Sequence, residues 1–120
     1  METYHLSDSE YRFMQVVWDT EPVGSGELVA LCREKLGWKK STTYTVLKKL
    51  GERGVVQNEE SVVTALASRE TVTEAAAEAF VDKTFNGSLP GFLTAFMSGR
   101  KLTEREAEDL KRLIDQYQEG

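Results

Sequence analysis

The sequence predicts a mainly α fold with a small β-hairpin wing, a winged helix-turn-helix domain followed by a C-terminal helical region. Three observations predict it. Three amphipathic segments with recognisable end signals fill residues 7–54. Two short β-branched runs follow at once. Residues 69–120 then hold three further helical patterns, rich in large apolar side chains. The expected division is 1–68 and 69–120.

LSDSEYRFMQVVW opens the first helix. Ser7 is an N-cap with Glu10 three residues on, the capping-box pattern, and Leu6 and Tyr11 can form the hydrophobic staple around it. Phe13, Met14, Val16, Val17 and Trp18 make this helix apolar on more than one face, which predicts burial. DTEPVGSG breaks the pattern with Pro and Gly. Ser25 is read as the cap of a second helix, Gly26 to Leu36, with Leu28, Leu31, Cys32 and Leu36 on one face and Gly37 as its stop. Cys32 on that face reads as a core residue. The third helix runs from about Ser41 to Glu52, within WKKSTTYTVLKKL and its continuation, and closes at Arg53–Gly54. VVQN and VVTAL, separated by EES, have strand character and hairpin spacing. Three helices and then a hairpin is the order of a winged helix, in which the third helix reads DNA and the hairpin is the wing.

Thr71 and Glu74 form a second capping-box pattern ahead of AAAEAFVDKTF, and NGS breaks that helix. Ser88, with Pro90 in the first turn, starts a shorter helix holding Leu89, Phe92, Leu93, Phe96 and Met97. SGRKL links it to a last helix, boxed by Thr103 and Glu106, with Leu110, Leu113, Ile114 and Tyr117 at i, i+3, i+4, i+7 spacing. So short a region cannot bury these side chains alone. They must pack on the first domain or on a second copy. Readers of this type commonly work as two-fold dimers, so a homodimer is expected. Its contact residues would be Phe80, Phe85, Phe92, Leu93, Phe96, Leu110, Leu113, Ile114 and Tyr117. A monomer with a folded-back tail is the alternative.

Composition narrows the function. The chain has 120 residues, a formal net charge of -5, one Cys and one His. A disulfide within the chain is excluded, and His5 and Cys32 lie too far apart to suggest a zinc site. No apolar run approaches a membrane span and no signal peptide is visible, so a cytoplasmic protein without direct membrane insertion is expected. No metal and no cofactor is expected. An enzyme is not expected either: there is no Gly-rich phosphate loop, and no nucleophile stands beside His5 in sequence. Glu104, Glu106, Glu108 and Asp109 read as a solvated helix face.

The acidic balance hides a local basic cluster. Lys39, Lys40, Lys48, Lys49 and Arg53 face only Glu52 between Leu36 and Gly54. On a helical wheel Thr43, Val46, Leu47 and Leu50 share one side. Ser41, Tyr44, Thr45 and Lys48 share the other, flanked by Thr42 and Lys49. Hydroxyls can reach phosphates or base edges, and a Thr methyl can touch a thymine methyl. Lysines toward both ends of the helix can neutralise phosphates across a groove, and the N-terminal N–H groups can hold another. The candidate DNA contacts are therefore Lys39, Lys40, Ser41, Thr42, Tyr44, Thr45, Lys48 and Lys49. The bland alternative is a solvated amphipathic helix with Ser41 as an ordinary N-cap. The order of the elements favours the reader.

At these residues the chain resembles the penicillinase repressor family, over nearly its whole length. LSDSEYRFMQVVWDTEPVGSGEL is similar to the family's opening L-x-x-x-E-x-x-(V/I)-M-x-x-(V/I/L)-W, followed by Pro and a capped helix. WKKSTTYTVLKKLGERG is similar to W-x-x-x-T-V-x-T-x-L-x-R-L-x-x-K-G. Trp38, Thr42, Thr45, Leu47, Leu50 and Gly54 match, and Lys49 and Arg53 keep the charge of an Arg and a Lys. AEAFVDKTFNGSLPGFLTAF and TEREAEDLKRLI resemble the family's tail helices.

The resemblance implies a dimeric transcriptional repressor on an inverted-repeat operator in double-stranded DNA. In the family's antibiotic-responsive branch a membrane sensor-protease pathway leads to repressor cleavage in the dimerisation region. The matching segment here is Leu93–Met97, with Ala95-Phe96 where the best-studied members have Asn-Phe. Phe96 as a plain core residue is the competing reading. The copper-responsive branch carries C-terminal Cys-x-Cys motifs, and this chain ends in DQYQEG, so copper sensing is not expected.

Two departures concern the reading surface. Tyr44 stands where those members carry Arg, and Tyr cannot make the bidentate guanine contact of Arg. The wing, VVQNEESVVTAL, carries Glu59 and Glu60, each repelling a phosphate at a few ångströms by ~1 kcal/mol in water. The family's operator is therefore not assumed. An alternative function follows from the acidic wing and the net charge: a winged-helix protein-interaction module with weak or lost DNA binding.

Overall fold

The computed structural model describes residues 4–118; the outer ends of both expected domains lie outside that range. Two compact units follow one another along the chain, residues 1–79 and 80–120.

In the first unit, α1 (Asp8–Thr20) starts on the expected capping box. The Ser7 hydroxyl accepts from the Glu10 N–H and the Glu10 carboxylate from the Ser7 N–H. Phe13, Met14, Val16 and Val17 are buried along it. α2 (Ser25–Leu36) ends on Gly37, whose φ of 73° is left-handed and suits a residue with no Cβ. α3 (Lys40–Glu52) turns Thr43, Leu47 and Leu50 inward. Cys32 is fully buried, as its face predicts, and burial pushes its thiol pKa up, with a hydrogen bond to Thr43 opposing.

Strands β2 (Val56–Glu59) and β3 (Val62–Ala65) form the hairpin. A short strand the sequence pattern does not announce, β1 (Val23–Gly24), pairs antiparallel with the other edge of β3. The sheet order is β1-β3-β2, with Val23 opposite Val63 and Val56 opposite Ala65. Phe13, Met14, Leu28, Leu50, Val55, Val63 and their neighbours make one core between the helices and the sheet. Full burial of side chains of this size contributes about 1.5–3 kcal/mol each.

Helix starts correct the sequence reading in three places. Ser25 is not a cap: it is buried inside α2, the N-cap is Gly24, and the Ser25 N–H donates to the Ser61 carbonyl at 2.9 Å. Ser41 is not a cap either, since α3 begins at Lys40 and its N-cap is Lys39, without a side-chain cap. Thr71 does not start α4 (Arg69–Phe85), because the Ser68 hydroxyl accepts from the Thr71 N–H at 3.0 Å and caps the helix earlier. The first turn of α4 belongs to the first unit, whose core holds Val72. Trp18 also ties the start of α4 down, through Nε1–H to the Ala67 carbonyl at 3.0 Å and under the Arg69 guanidinium at 5.4 Å.

The hairpin turns through Glu60 and Ser61, with φ of 52° and 65°. A two-residue turn with both central φ positive is the kind best served by Asn-Gly, and left-handed backbone costs other residues roughly 1–2 kcal/mol each. Glu60→Asn with Ser61→Gly is therefore expected to stabilise the domain by about 1 kcal/mol, several degrees in thermal midpoint. A calorimetric scan showing no rise would contradict this turn geometry.

In the second unit, α5 (Leu89–Met97) is capped by Ser88, whose hydroxyl accepts from the Gly91 N–H at 2.9 Å. α6 (Glu104–Tyr117) starts on the Thr103–Glu106 capping box, as expected. Neither helix has a buried residue.

Candidate nucleic-acid interface

The inner face of α3 is fixed by Thr43, Leu47 and Leu50, so its outer face follows from the helical period. Ser41, Thr42, Tyr44, Thr45, Lys48 and Lys49 are all exposed, and Val46 is half-buried. Lys39 and Lys40 are exposed at the N-terminus. With no side chain capping it, the first turn leaves backbone N–H groups open beside two cations, an arrangement suited to a phosphate. The Thr45 hydroxyl donates to the Ser41 carbonyl at 2.8 Å. It can therefore offer a ligand its lone pairs and its methyl, but not its proton, unless that bond opens.

The outer face of α3 meets the wing in a groove of about 550 Å³. Tyr44 and Lys48 line it from α3, and Gln57 and Asn58 from β2. These two amides were not among the residues singled out from the sequence. They are visible there only as polar positions in a strand. Their approach to Tyr44 depends on the hairpin lying along α3.

The basic cluster divides. Glu10 is 6% exposed. Its Oε1 accepts from Arg53 Nη1 at 3.2 Å, and its Oε2 lies 3.4 Å from Lys49 Nζ. Arg53 also donates to the His5 carbonyl at 2.7 Å. Thus two of the five cations face a buried carboxylate on α1, and Lys39, Lys40 and Lys48 are in no ion pair among the described residues. Burial pushes the Glu10 pKa up, but the Ser7 N–H and the Lys49 and Arg53 side chains outweigh it and hold the carboxyl below its ordinary value. A depressed carboxyl contributes stability above its unfolded pKa, and that contribution is lost as pH falls through the lower, folded value. Acid unfolding of Glu10→Gln, followed by circular dichroism, is expected to lose part of the wild-type loss of stability below about pH 4.5. Identical acid limbs for the two chains would contradict this.

The expected dimer residues collect in the second unit. Phe80, Phe85 and Phe92 meet edge to face at centroid distances of 5.6–6.0 Å. Phe96 stacks on Phe92 at 5.9 Å, under the Arg100 guanidinium. Phe80 and Phe96 are nevertheless about half exposed, and Leu113, Ile114 and Tyr117 are 48%, 60% and 76% exposed. Leu93 and Leu110 are half-buried. Phe96 is therefore not a plain core residue of a single chain. Ala95 beside it is exposed, within α5. Among the described residues no group of acidic, His and Cys side chains could hold a metal, and no helix is long and apolar enough to cross a membrane.

A family model described as penicillinase repressor matches residues 6–116. The penicillinase repressor of Bacillus licheniformis is 21% identical over 116 residues, covering 93% of this chain and 91% of that one. The methicillin resistance regulatory protein MecI of Staphylococcus aureus is 18% identical over 118 residues, covering 95% and 96%. An uncharacterized 16.5 kDa protein of Latilactobacillus sakei is 32% identical over 57 residues, 48% of this chain and 39% of that one.

Proposed function

The chain belongs to the penicillinase repressor family, a family of transcriptional repressors, and from that premise we propose that it is a dimeric repressor reading an inverted-repeat operator. The observation that carries the reading is the outer face of α3. It presents Ser41, Thr42, Tyr44, Thr45 and Lys48 outward from a rigid inner row, behind an uncapped N-terminus flanked by Lys39 and Lys40. Phosphates would be met by the lysines and the first-turn N–H groups. Base edges would be met by Tyr44 and the hydroxyl residues. The exposed apolar side chains of α5 and α6 support pairing of two copies through the second unit. Two tethered readers bind a two-half-site operator far more tightly than one.

Release by proteolysis extends the same reading. A cut between Ala95 and Phe96 would divide the pairing region and separate the readers. That bond lies in a helix, so a protease acting there must first open the last turn of α5. A membrane sensor-protease encoded beside this chain would supply the pathway.

An electrophoretic shift with the chain's own upstream region tests the reading. Lys39→Ala with Lys48→Ala is expected to weaken binding on every sequence, while Tyr44→Ala changes the preference among sequences. Tight binding indifferent to all three would overturn the assignment of α3 as reader. Failure to bind any DNA at low salt would favour the protein-interaction module, a reading that the acidic Glu59 and Glu60 also support.

A further inference from the structure

Lys48 and Lys49 are adjacent in sequence but about 100° apart around α3, and they have different neighbours. Lys48 lines the groove shared with Tyr44 and the wing. Lys49 reaches the other way, to the Glu10 carboxylate at 3.4 Å. Glu10 is buried, and a buried carboxylate stripped of a counter-ion is costly. Arg53 shares the load, but it is also committed to the His5 carbonyl. Drawing Lys49 away to a phosphate would leave Glu10 with Arg53 as its one cationic neighbour among the described residues, beside the Ser7 N–H, in a site that solvent barely reaches.

Resting on the repressor reading, we propose that Glu10 is a positioning residue that gives the two lysines separate tasks. It holds Lys49, with Arg53, to α1 and so fixes the C-terminal half of the reader helix. Lys48 is left for DNA phosphate. The reader segment then presents to DNA three of its five cations, Lys39, Lys40 and Lys48, and the acidic residue that limits this count lies on a different helix from the reader. The electrostatic reach of α3 is set by an internal competitor as well as by its own sequence.

Salt dependence separates this from a merely structural role, because the slope of log K against log salt counts neutralised phosphates at about 0.9 each. The full chain is titrated with mixed-sequence double-stranded DNA between 50 and 200 mM salt, with folding checked by circular dichroism. Lys48→Ala is expected to reduce the slope by about 0.9 per bound protomer, and Lys49→Ala to leave it unchanged while lowering the thermal midpoint. Glu10→Gln is expected to steepen the slope by about 0.9 per protomer as Lys49 comes free, and Glu10→Gln with Lys49→Ala to restore the wild-type value. Equal losses from Lys48→Ala and Lys49→Ala, or an unmoved slope in a folded Glu10→Gln chain, would overturn the inference and leave the repressor reading standing. Should Glu10→Gln fail to fold, the contrast between the two lysine variants decides alone. A wild-type chain that binds no DNA at 50 mM salt overturns the repressor reading, and this inference with it.

Discussion

Leu113→Asp with Ile114→Asp is expected to turn the proposed dimer into a monomer and to lower its affinity for a two-half-site operator by roughly 10²–10⁴-fold. Both side chains stand on the apolar face of α6, about half exposed in the single chain. The same helix pairs Asp109 with Arg105 and Arg112, while Leu113 and Ile114 stay 48% and 60% exposed. Burying that face in a second copy removes apolar area from water, and two carboxylates there would have to be desolvated without counter-ions. The core of the first unit contains neither residue. The winged domain should fold as before and bind a single half-site with unchanged affinity. Sedimentation velocity reads the mass, and anisotropy with one-site and two-site duplexes reads the affinity. A variant that still sediments as a dimer would place the pairing surface elsewhere. A wild-type monomer at micromolar concentration would refute the dimer itself.

What the sequence disclosed about this chain depended on the range of the interaction. α1, α5 and α6 begin where a hydroxyl meets an N–H three residues on, a local event, and Ser7, Ser88 and Thr103 are legible as caps. α2 begins at a place set by a distant partner: the Ser61 carbonyl at the hairpin turn takes the Ser25 N–H, so Ser25 need not cap. Before α4 two hydroxyl residues compete, and Ser68 holds the cap while Thr71 becomes part of the helix. β1 escaped notice because two residues show no periodicity. Its existence comes from pairing with Val62 and Val63.

The candidate interface divides along the same line. The outer face of α3 follows from the wheel, because Thr43, Leu47 and Leu50 at helical spacing leave the opposite side nowhere to go but outward. Glu10 was legible only as half of a capping box. Its partnership with Arg53 spans 43 residues of sequence, and no local pattern encodes it. In sequence Lys49 is one more cation of α3, and across the fold its neighbour is the Glu10 carboxylate at 3.4 Å. Arg53 shows the same limit: in sequence it closes a helix, and in the fold it fastens that helix to α1.

Phe13→Ala is expected to cost the winged domain about 3–5 kcal/mol, a large part of the roughly 5–15 kcal/mol that holds a typical protein folded. Phe13 is fully buried, and its ring lies parallel to that of Trp38 at 6.0 Å. Trp38 immediately precedes the N-cap of α3, and its N–H donates to the Cys32 carbonyl at 3.3 Å. Removing Phe13 thus opens a cavity and takes away the surface against which the entry to α3 is set. Urea denaturation should show a lower midpoint with an unchanged slope, the mark of lost stability and not of a changed unfolded state. Phe13→Leu keeps most of the volume and should cost less than half as much, because volume-conserving apolar exchanges are the best tolerated. If Phe13→Ala shifted the midpoint no more than Phe13→Leu, the cavity argument would fail, and Trp38 would have to hold the entry to α3 by its backbone bond alone.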